Sequence, residues 1–196
     1  MSTQQFPSEP YKLPSWVADV VRPGDIIASE RERVRLAIQL AREHVERGTG
    51  GPFGAVVCER DSGAVVSVGV NLVVQTHLSS AHAEQVAWTL AQRGLETYDL
   101  GGAQLPPMAL YTSSQMCVSC WGGLFWTGIR RVVSATTGDD VERIVGFDEG
   151  PIPADWAARL ESRGIEVKRE VLREEACAVL RRYAELGGEV YNSGKG

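Results

Sequence analysis

The chain has 196 residues, of which 43% are hydrophobic, enough for one domain to bury a single core. Its formal net charge of −5 and isoelectric point near 5.3 argue against a broad phosphate-binding surface, and so against a nucleic acid partner. Four cysteines are too few for a disulfide scaffold, which fits a reducing, cytoplasmic setting. The uncharged run at 100–129 is interrupted by polar residues and prolines, so we expect a buried core segment and no membrane span.

The predicted elements begin with a proline-rich arm at 1–28, whose apolar residues at 16–21 dock against the main body. A capping box at 29–32 starts the first helix, whose apolar residues recur at helical spacing. The charged face of this helix, Arg33 included, is predicted to be solvated. His44 lies near the end of the helix and belongs to no motif, so we interpret it as structural.

A glycine-rich segment at 50–54 follows, and it either brings the backbone close to a ligand or simply makes a turn. The pattern then predicts, in chain order, a hairpin at 55–69, a helix at 81–92, a strand at 108–112, a helix to about 127, a strand at 131–135, short helices at 139–145 and 154–162, a strand at 165–169 and a helix at 174–186. Residues 29–192 thus form a single domain of the α/β class. We expect a three-layer α/β/α sandwich around a mixed five-stranded sheet.

Two short motifs carry the chemistry, His-x-Glu at His82 and Glu84 and Cys-x-x-Cys at Cys117 and Cys120. Cysteines at i and i+3 of a helix lie roughly 60° from eclipsed, so both sulfurs can reach one metal ion. His82 and Glu84 converge only near a helix start, where the helix dipole also favours a bound anion. Two cysteines and one histidine leave the fourth position of zinc free for water, which is typical of a catalytic site. Glu84 is then a proton carrier and not a ligand.

Each part of this pattern also has a plainer interpretation. The Cys-x-x-Cys motif alone is equally a redox pair, a structural half-site or two buried thiols, and His82 alone is an ordinary hydrogen-bonded histidine. The combination is more specific, because His-x-Glu followed by Pro-Cys-x-x-Cys is the signature of zinc nucleobase deaminases. This chain departs from that signature at one position, where Met116 replaces the proline.

With the segments Gly50-Gly51-Pro52-Phe53-Gly54-Ala55 and Gly146-Phe147-Asp148-Glu149-Gly150-Pro151, these motifs resemble the cytidine-deaminase-like superfamily and, within it, the bacterial guanine deaminases. The resemblance covers roughly 30–192. It implies one Zn²⁺ per chain, a small aminopurine-like substrate, and hydrolysis of guanine to xanthine and ammonia in purine metabolism. The implied zinc ligands are His82, Cys117 and Cys120, and the implied proton shuttle is Glu84.

The resemblance also implies substrate contacts. Asn71 corresponds to an asparagine that contacts the purine carbonyl, although a loop asparagine is usually a turn residue. Glu149 corresponds to an acid that reaches the substrate, and its plainer interpretation is an exposed loop acid. Phe53, Trp126 and Phe147 are candidates for the aromatic walls of the pocket, with simple core packing as the alternative.

The resemblance further implies a homodimer in which the segment 146–192 packs on a partner subunit or exchanges with it. Gln115 and Met116 stand where related enzymes have Glu-Pro, which leaves open another aminated heterocycle as substrate: a guanine nucleoside, a pterin or an aminotriazine. Two further alternatives fit less well. A tRNA-editing enzyme needs a basic surface that this chain lacks, and a zinc-stabilised binding protein has no need of Glu84.

Overall fold

The structure, a computed structural model, describes residues 11–192, so part of the predicted arm lies outside the described residues. The strands are β1 (Gly54–Glu59), β2 (Val65–Val70), β3 (Met108–Thr112), β4 (Arg131–Ser134) and β5 (Glu166–Lys168). The helices of the described part are α1 (Val17–Val20), α2 (Glu30–Glu46), α3 (Val73–Thr76), α4 (Ala83–Gly94), α5 (Val118–Leu124), α6 (Gly138–Ile144), α7 (Trp156–Glu161) and α8 (Arg173–Glu185). The short helices α1 and α3 were not predicted, because a single turn carries too few residues to show a periodicity.

The five strands form one mixed sheet, as predicted. Their spatial order is β2-β1-β3-β4-β5, with β1 antiparallel to both β2 and β3, and β3, β4 and β5 parallel to one another. The central strand β1 shows why helices cover both faces. Val56 and Cys58 belong to a core shared with α2 and α8, whereas Ala55 and Val57 belong to a core shared with α4 and α5. Because successive side chains of a strand point to opposite faces, both faces are buried, and the three-layer sandwich is confirmed.

The described part of the arm lies along the exposed edge of the sheet. Trp16, Val17 and Val21 are buried in the core on the α2 side. The backbone of the arm then reaches strand β2, where Val65 donates to the carbonyl of Asp25 at 2.8 Å and accepts from Gly24 at 2.8 Å. These hydrogen bonds cover part of an edge strand that would otherwise present unpaired backbone groups.

The prediction that Arg33 is solvated is wrong. Its side chain is buried, with 5% of the residue exposed. The guanidinium donates to the carbonyls of Ile27 at 2.8 Å and Arg60 at 2.7 Å, and to the hydroxyl of Tyr111 at 2.9 Å. The arm and the hairpin turn fold over the start of α2 and supply these acceptors, which a helical-face pattern cannot anticipate.

We expect Arg33→Met to destabilise the fold by about 3 kcal/mol, because it leaves buried carbonyl oxygens without a donor. The matched control is Arg42→Met on the exposed face of the same helix, where the loss should be much smaller. Urea denaturation of both variants measures the difference. Equal losses of stability would contradict the structural role of Arg33.

The C-terminal segment folds back on its own chain in the structure. Strand β5 pairs with β4, and α8 lies against α2, where Arg182 and Glu46 form an ion pair of 2.9 Å. Exchange of this segment between subunits stays a prediction. None of the helices in the described range 11–192 is long and apolar enough to cross a membrane.

Candidate active site

Two helix starts meet at one end of the sheet. His82 is the N-cap residue of α4, with φ −68° and ψ 151°, and Cys117 is the N-cap residue of α5, with φ −67° and ψ 171°. Both residues are therefore extended, and the chain turns into a helix directly after them. Glu84 and Cys120 follow in the first turns of these helices. This arrangement gives the convergence of His82 and Glu84 that their two-residue spacing required.

The three predicted ligand atoms form a compact group. Nδ1 of His82 lies 3.3 Å from Sγ of Cys117 and 3.5 Å from Sγ of Cys120, and the three atoms all lie within 4.8 Å of one another. Tetrahedral zinc with ordinary Zn–S and Zn–N bonds has ligand atoms about 3.5 Å apart. Two thiols and one imidazole are donors that zinc prefers. The residues present therefore fit a zinc ion.

The surroundings of Cys117 favour a thiolate, whereas burial raises the pKa of the Cys120 thiol. A hydrogen bond from the Cys120 thiol lowers the pKa of the Cys117 thiol, and the neighbouring His82 imidazole acts in the same direction. Gln85 donates its side-chain amide to Sγ of Cys120 at 3.7 Å and to Oγ of Ser119 at 2.9 Å. Sequence reasoning missed Gln85. Its only signal was its place directly after Glu84, on the helix turn that faces the start of α5.

The Glu84 carboxyl is buried beside the ligand group. Its Oε2 lies 3.6 Å from Sγ of Cys120, but Glu84 is not part of the group of three ligands. Burial, followed by the charge of a Cys117 thiolate, raises the pKa of Glu84 to about 7. A carboxyl group with a pKa near neutrality can both accept and release a proton.

The ligand group opens into a cavity of about 770 Å³, a volume typical of small-molecule sites. The structure brings most of the predicted substrate-binding residues to its wall, namely Phe53, Asn71, Phe147 and Glu149, together with Gln115. The rings of Phe53 and Phe147 pack edge to face, with centroids 5.3 Å apart. They therefore serve the core and the cavity wall at once.

The expectation that Trp126 forms part of the wall is not met. Trp126 is 83% exposed and does not line the cavity. Helix α5 begins at the ligand group and leads away from it, so Trp126, beyond the far end of the helix, lies roughly 13 Å along the chain direction from Cys117. The resemblance suggested a place in the wall that Trp126 does not have within one chain.

Asn71 is buried and forms both a turn and a part of the wall. Its Oδ1 accepts from the backbone N–H of Val73 at 3.2 Å, which is the turn interaction expected of a loop asparagine. The amide NH₂ of Asn71 has no hydrogen-bond partner within residues 11–192, so it is available to donate to a ligand in the cavity that Asn71 lines. Asn71 thus presents hydrogen-bond donors to a ligand.

Glu149 is buried in the wall opposite, and its position is tied to the cysteine helix. Its carbonyl accepts from the backbone N–H of Val118 at 2.9 Å. The next residue, Gly150, has φ +72°, and a Cβ there would lie 2.5 Å from Cγ1 of Val118, so only glycine fits. Burial, followed by the charge of a Cys117 thiolate, raises the pKa of Glu149 to about 9. Glu149 is therefore a cavity residue and not an exposed loop acid.

Sequence reasoning also missed the contribution of the C-terminal tail. The Tyr191 side chain lines the cavity and packs on Phe147, with ring centroids 4.8 Å apart. Its buried hydroxyl has no hydrogen-bond partner within residues 11–192. Asn192 accepts from the backbone of Asp148 at 2.9 Å and donates to the carbonyl of Gly146 at 2.8 Å, and so holds the Glu149 loop. An aromatic residue in an otherwise polar tail was the available signal.

Comparison with known proteins agrees with this site. Residues 28–136 match the zinc-binding region of cytidine and deoxycytidylate deaminases. The chain belongs to this family and is a zinc-dependent aminohydrolase, which confirms the resemblance drawn from the motifs.

Within the family, the chain is similar to guanine deaminases. It is 34% identical to guanine deaminase of Bacillus subtilis (strain 168) over 141 residues, which cover 72% of this chain and 85% of that protein. The solved guanine deaminase from Nitrosomonas europaea is 42% identical, with a TM-score of 0.84 over 89% of this chain and 94% of that one. A structure solved in complex with 2,6-diaminopurine is 43% identical, with a TM-score of 0.86 over 93% of this chain and 95% of that one.

Proposed function

We propose that the enzyme hydrolyses guanine to xanthine and ammonia. The observation that carries the proposal is one cavity in which the Asn71 amide and the Glu149 carboxyl face the same space as Glu84 and the ligand group. Guanine offers a carbonyl oxygen that accepts hydrogen bonds, and a ring N–H and an amine that donate them. The Asn71 amide can donate a hydrogen bond to the carbonyl oxygen. The Glu149 carboxyl oxygens can accept hydrogen bonds from the ring N–H and the amine. Similarity to guanine deaminases and to a protein that binds 2,6-diaminopurine supports the same substrate.

In the reaction, Glu84 carries protons. Zinc held by His82, Cys117 and Cys120 supplies Lewis-acid chemistry that lowers the pKa of water toward about 7. Glu84 accepts a proton from water as the water oxygen bonds to the amine-bearing ring carbon, and it passes this proton to the ring nitrogen. Glu84 then accepts the second proton from the hydroxyl group on that carbon and delivers it to the departing amine. The carbon–nitrogen bond then breaks, ammonia leaves, and the oxo product remains.

The aromatic side chains and the tail support binding of a flat ring. Phe53 and Phe147 give the cavity an apolar wall against which a purine can pack, and packing there excludes water from the reacting carbon. The Tyr191 hydroxyl, which lacks a partner within the described chain, is a further hydrogen-bonding group for the bound base.

We propose one zinc ion per chain, and metal analysis of variants tests it. Cys117→Ala and His82→Ala each remove one of three ligands, so we expect zinc affinity to fall by at least about a hundredfold. The control is Cys177→Ala, which removes a free cysteine of α8 outside the ligand group and should leave the zinc content at one per chain. Full zinc occupancy in both ligand variants would contradict the site.

A panel of substrates tests the proposed specificity. We expect kcat/KM for guanine to exceed that for cytidine by at least about a hundredfold, because the polar groups that pair with guanine would be left unpaired by cytidine. Ammonia release from guanine, guanosine, cytidine, a pterin and an aminotriazine is the measurement. A preference for cytidine would contradict the proposal.

A second candidate is a deaminase of another aminated heterocycle, namely a guanine nucleoside, a pterin or an aminotriazine. It is favoured by Gln115, which lines the cavity at the position where the family resemblance leads us to expect a glutamate. A neutral amide there both donates and accepts hydrogen bonds, whereas a carboxylate only accepts them. The same panel separates the two candidates, because the chemistry at Glu84 is shared and only the preferred ring differs.

We also propose a homodimer located in the cytoplasm. Tyr98 is 86% exposed and Trp126 83%, and their loops are tied together where Leu100 donates to the carbonyl of Thr127 at 2.8 Å. Large exposed aromatic side chains are typical of surfaces that bind a partner.

The free thiols of the ligand group support the proposed cytoplasmic location, because cysteines stay reduced in the cytoplasm.

A further inference from the structure

A chain of hydrogen bonds connects the N-terminal arm to Asn71. The indole N–H of Trp16 lies 3.2 Å from Oγ1 of Thr49. The same oxygen lies 2.7 Å from Nδ1 of His44, and Nε2 of His44 lies 2.7 Å from the carbonyl oxygen of Asn71. The His44 side chain is completely buried, with 0% of the residue exposed. A fully buried histidine with both ring nitrogens paired is held in one orientation.

The direction of each hydrogen bond follows from its partners. The Asn71 carbonyl can only accept, so Nε2 of His44 carries the proton. Burial lowers the pKa of His44 to about 4, so the ring is neutral and Nδ1 is an acceptor. Thr49 therefore donates its hydroxyl proton to Nδ1 and accepts from Trp16. In this series of hydrogen bonds, every donor points in the same direction, from Trp16 of the arm toward the carbonyl of Asn71.

The glycine-rich segment makes room for this contact. A Cβ at Gly50 would lie 2.1 Å from Nε2 of His44 and 2.7 Å from the Asn71 carbonyl oxygen, too close to both atoms that the hydrogen bond joins. Only glycine is compatible with the contact. The motif at 50–54 therefore does more than turn the chain. Because Gly50 has no side chain, the His44 ring can reach the backbone carbonyl of Asn71.

We propose that His44 is a positioning residue for substrate recognition. Its hydrogen bond to the Asn71 carbonyl fixes the backbone of Asn71, so that the side-chain amide of Asn71 is oriented for the cavity. Trp16 and Thr49 set the orientation and the tautomer of the His44 ring. The backbone N–H of Asn71 is bonded to the Phe53 carbonyl at 3.2 Å, so both backbone groups of Asn71 are tied down. This assignment rests on the proposed function, because it acts through the contact of Asn71 with the base.

Two amide substitutions at position 44 test the assignment. The side chain of His44→Gln can reach the Asn71 carbonyl with its NH₂ group, whereas that of His44→Asn stops near the former Nδ1 position. We expect His44→Asn to lower kcat/KM for guanine about tenfold, mainly through KM, and His44→Gln to stay within about threefold of the wild type. Zinc content should be unchanged in both variants. Equal losses in the two variants would overturn the assignment.

A double-mutant cycle separates positioning from general destabilisation. In an Asn71→Ala background, His44→Asn should change kcat/KM by less than about twofold, because the group that it positions is absent. Independent, multiplying losses would overturn the assignment. Ile38→Val, which removes a buried methyl group from the same helix, controls for lost stability and should leave kcat/KM unchanged in both backgrounds. If the His44 variants fail to fold, Trp16→Phe replaces His44→Asn in the same double-mutant cycle. We expect Trp16→Phe to lower kcat/KM about twofold to threefold in the wild-type background.

A spectroscopic measurement keeps this test separate from that of the proposed function. Long-range ¹H–¹⁵N spectra of the zinc-loaded enzyme, assigned with His44→Gln, should show the neutral Nε2–H tautomer of His44 at pH 7. An Nδ1–H tautomer or a charged ring would overturn the assignment whatever the substrate. If the enzyme does not turn over guanine, the proposed function fails, and the cycle is run on the preferred heterocycle of the panel.

Discussion

Glu84→Gln should retain zinc and lose turnover by a factor of about 10²–10⁴. The glutamate is buried beside the ligand group, and its pKa is raised to about 7, so it can take up a proton and release it within one reaction cycle. A glutamine amide fills the same space but has no proton to exchange at neutral pH. Ammonia release under saturating guanine, with metal analysis of the same samples, measures the two effects separately.

The matched control is Glu142→Gln, which changes an exposed glutamate of α6 near the site by the same single charge. It should keep both zinc and nearly the full rate. If Glu84→Gln kept more than about a tenth of the wild-type rate, its role as proton carrier would be misassigned. Loss of zinc from Glu84→Gln would instead show that the carboxylate supports the metal site.

The grouping of His82 with Cys117 and Cys120 could be predicted from sequence because each motif has a local geometry that suits a metal site and the two motifs together form a known signature. The spacing of the cysteines places both sulfurs on one side of a helix turn, and the spacing of His82 and Glu84 requires a helix start. The mixed sheet was predictable for a similar reason, since apolar strands and amphipathic helices alternate along the chain. In each case the local pattern lies within about ten residues, whereas the contact between the motifs, such as that of His82 with Cys117, spans 35 residues.

Arg33, Trp126 and His44 could not be placed by such patterns. The fate of each depends on chain segments that are remote in sequence. Arg33 is buried because the arm and the hairpin turn cover it, and Trp126 is exposed beyond the end of α5, the helix that begins at the ligand group. His44 is interpreted as structural from sequence alone, and its contact with Asn71 emerges only where β2 ends beside α2. Long-range packing overrides the local pattern at all three positions.

The second large effect is expected at Glu149. Glu149→Gln should lower turnover of guanine by at least about tenfold without changing the zinc content. Burial and a Cys117 thiolate raise the pKa of Glu149 to about 9, but bonding of that thiolate to zinc and the two hydrogen-bond donors of the substrate favour the charged carboxylate. Its oxygens then accept hydrogen bonds from the ring N–H and the amine, and such bonds to a charged acceptor contribute up to about 3 kcal/mol each. Glutamine keeps one acceptor but places an NH₂ group against a donor of the substrate. A fully active Glu149→Gln enzyme would contradict this role.

Mixing two inactive variants then shows which subunit supplies the acid. In the structure, Glu149 and Glu84 of one chain line the same cavity. Heterodimers of Glu84→Gln and Glu149→Gln chains should therefore stay inactive, because every site lacks one of the two groups. If the segment 146–192 is exchanged between subunits, half of the sites in each heterodimer regain both wild-type groups, and activity returns. Sedimentation and mass spectrometry of the mixture establish that heterodimers have formed, so recovered activity would contradict the arrangement in which each chain completes its own site.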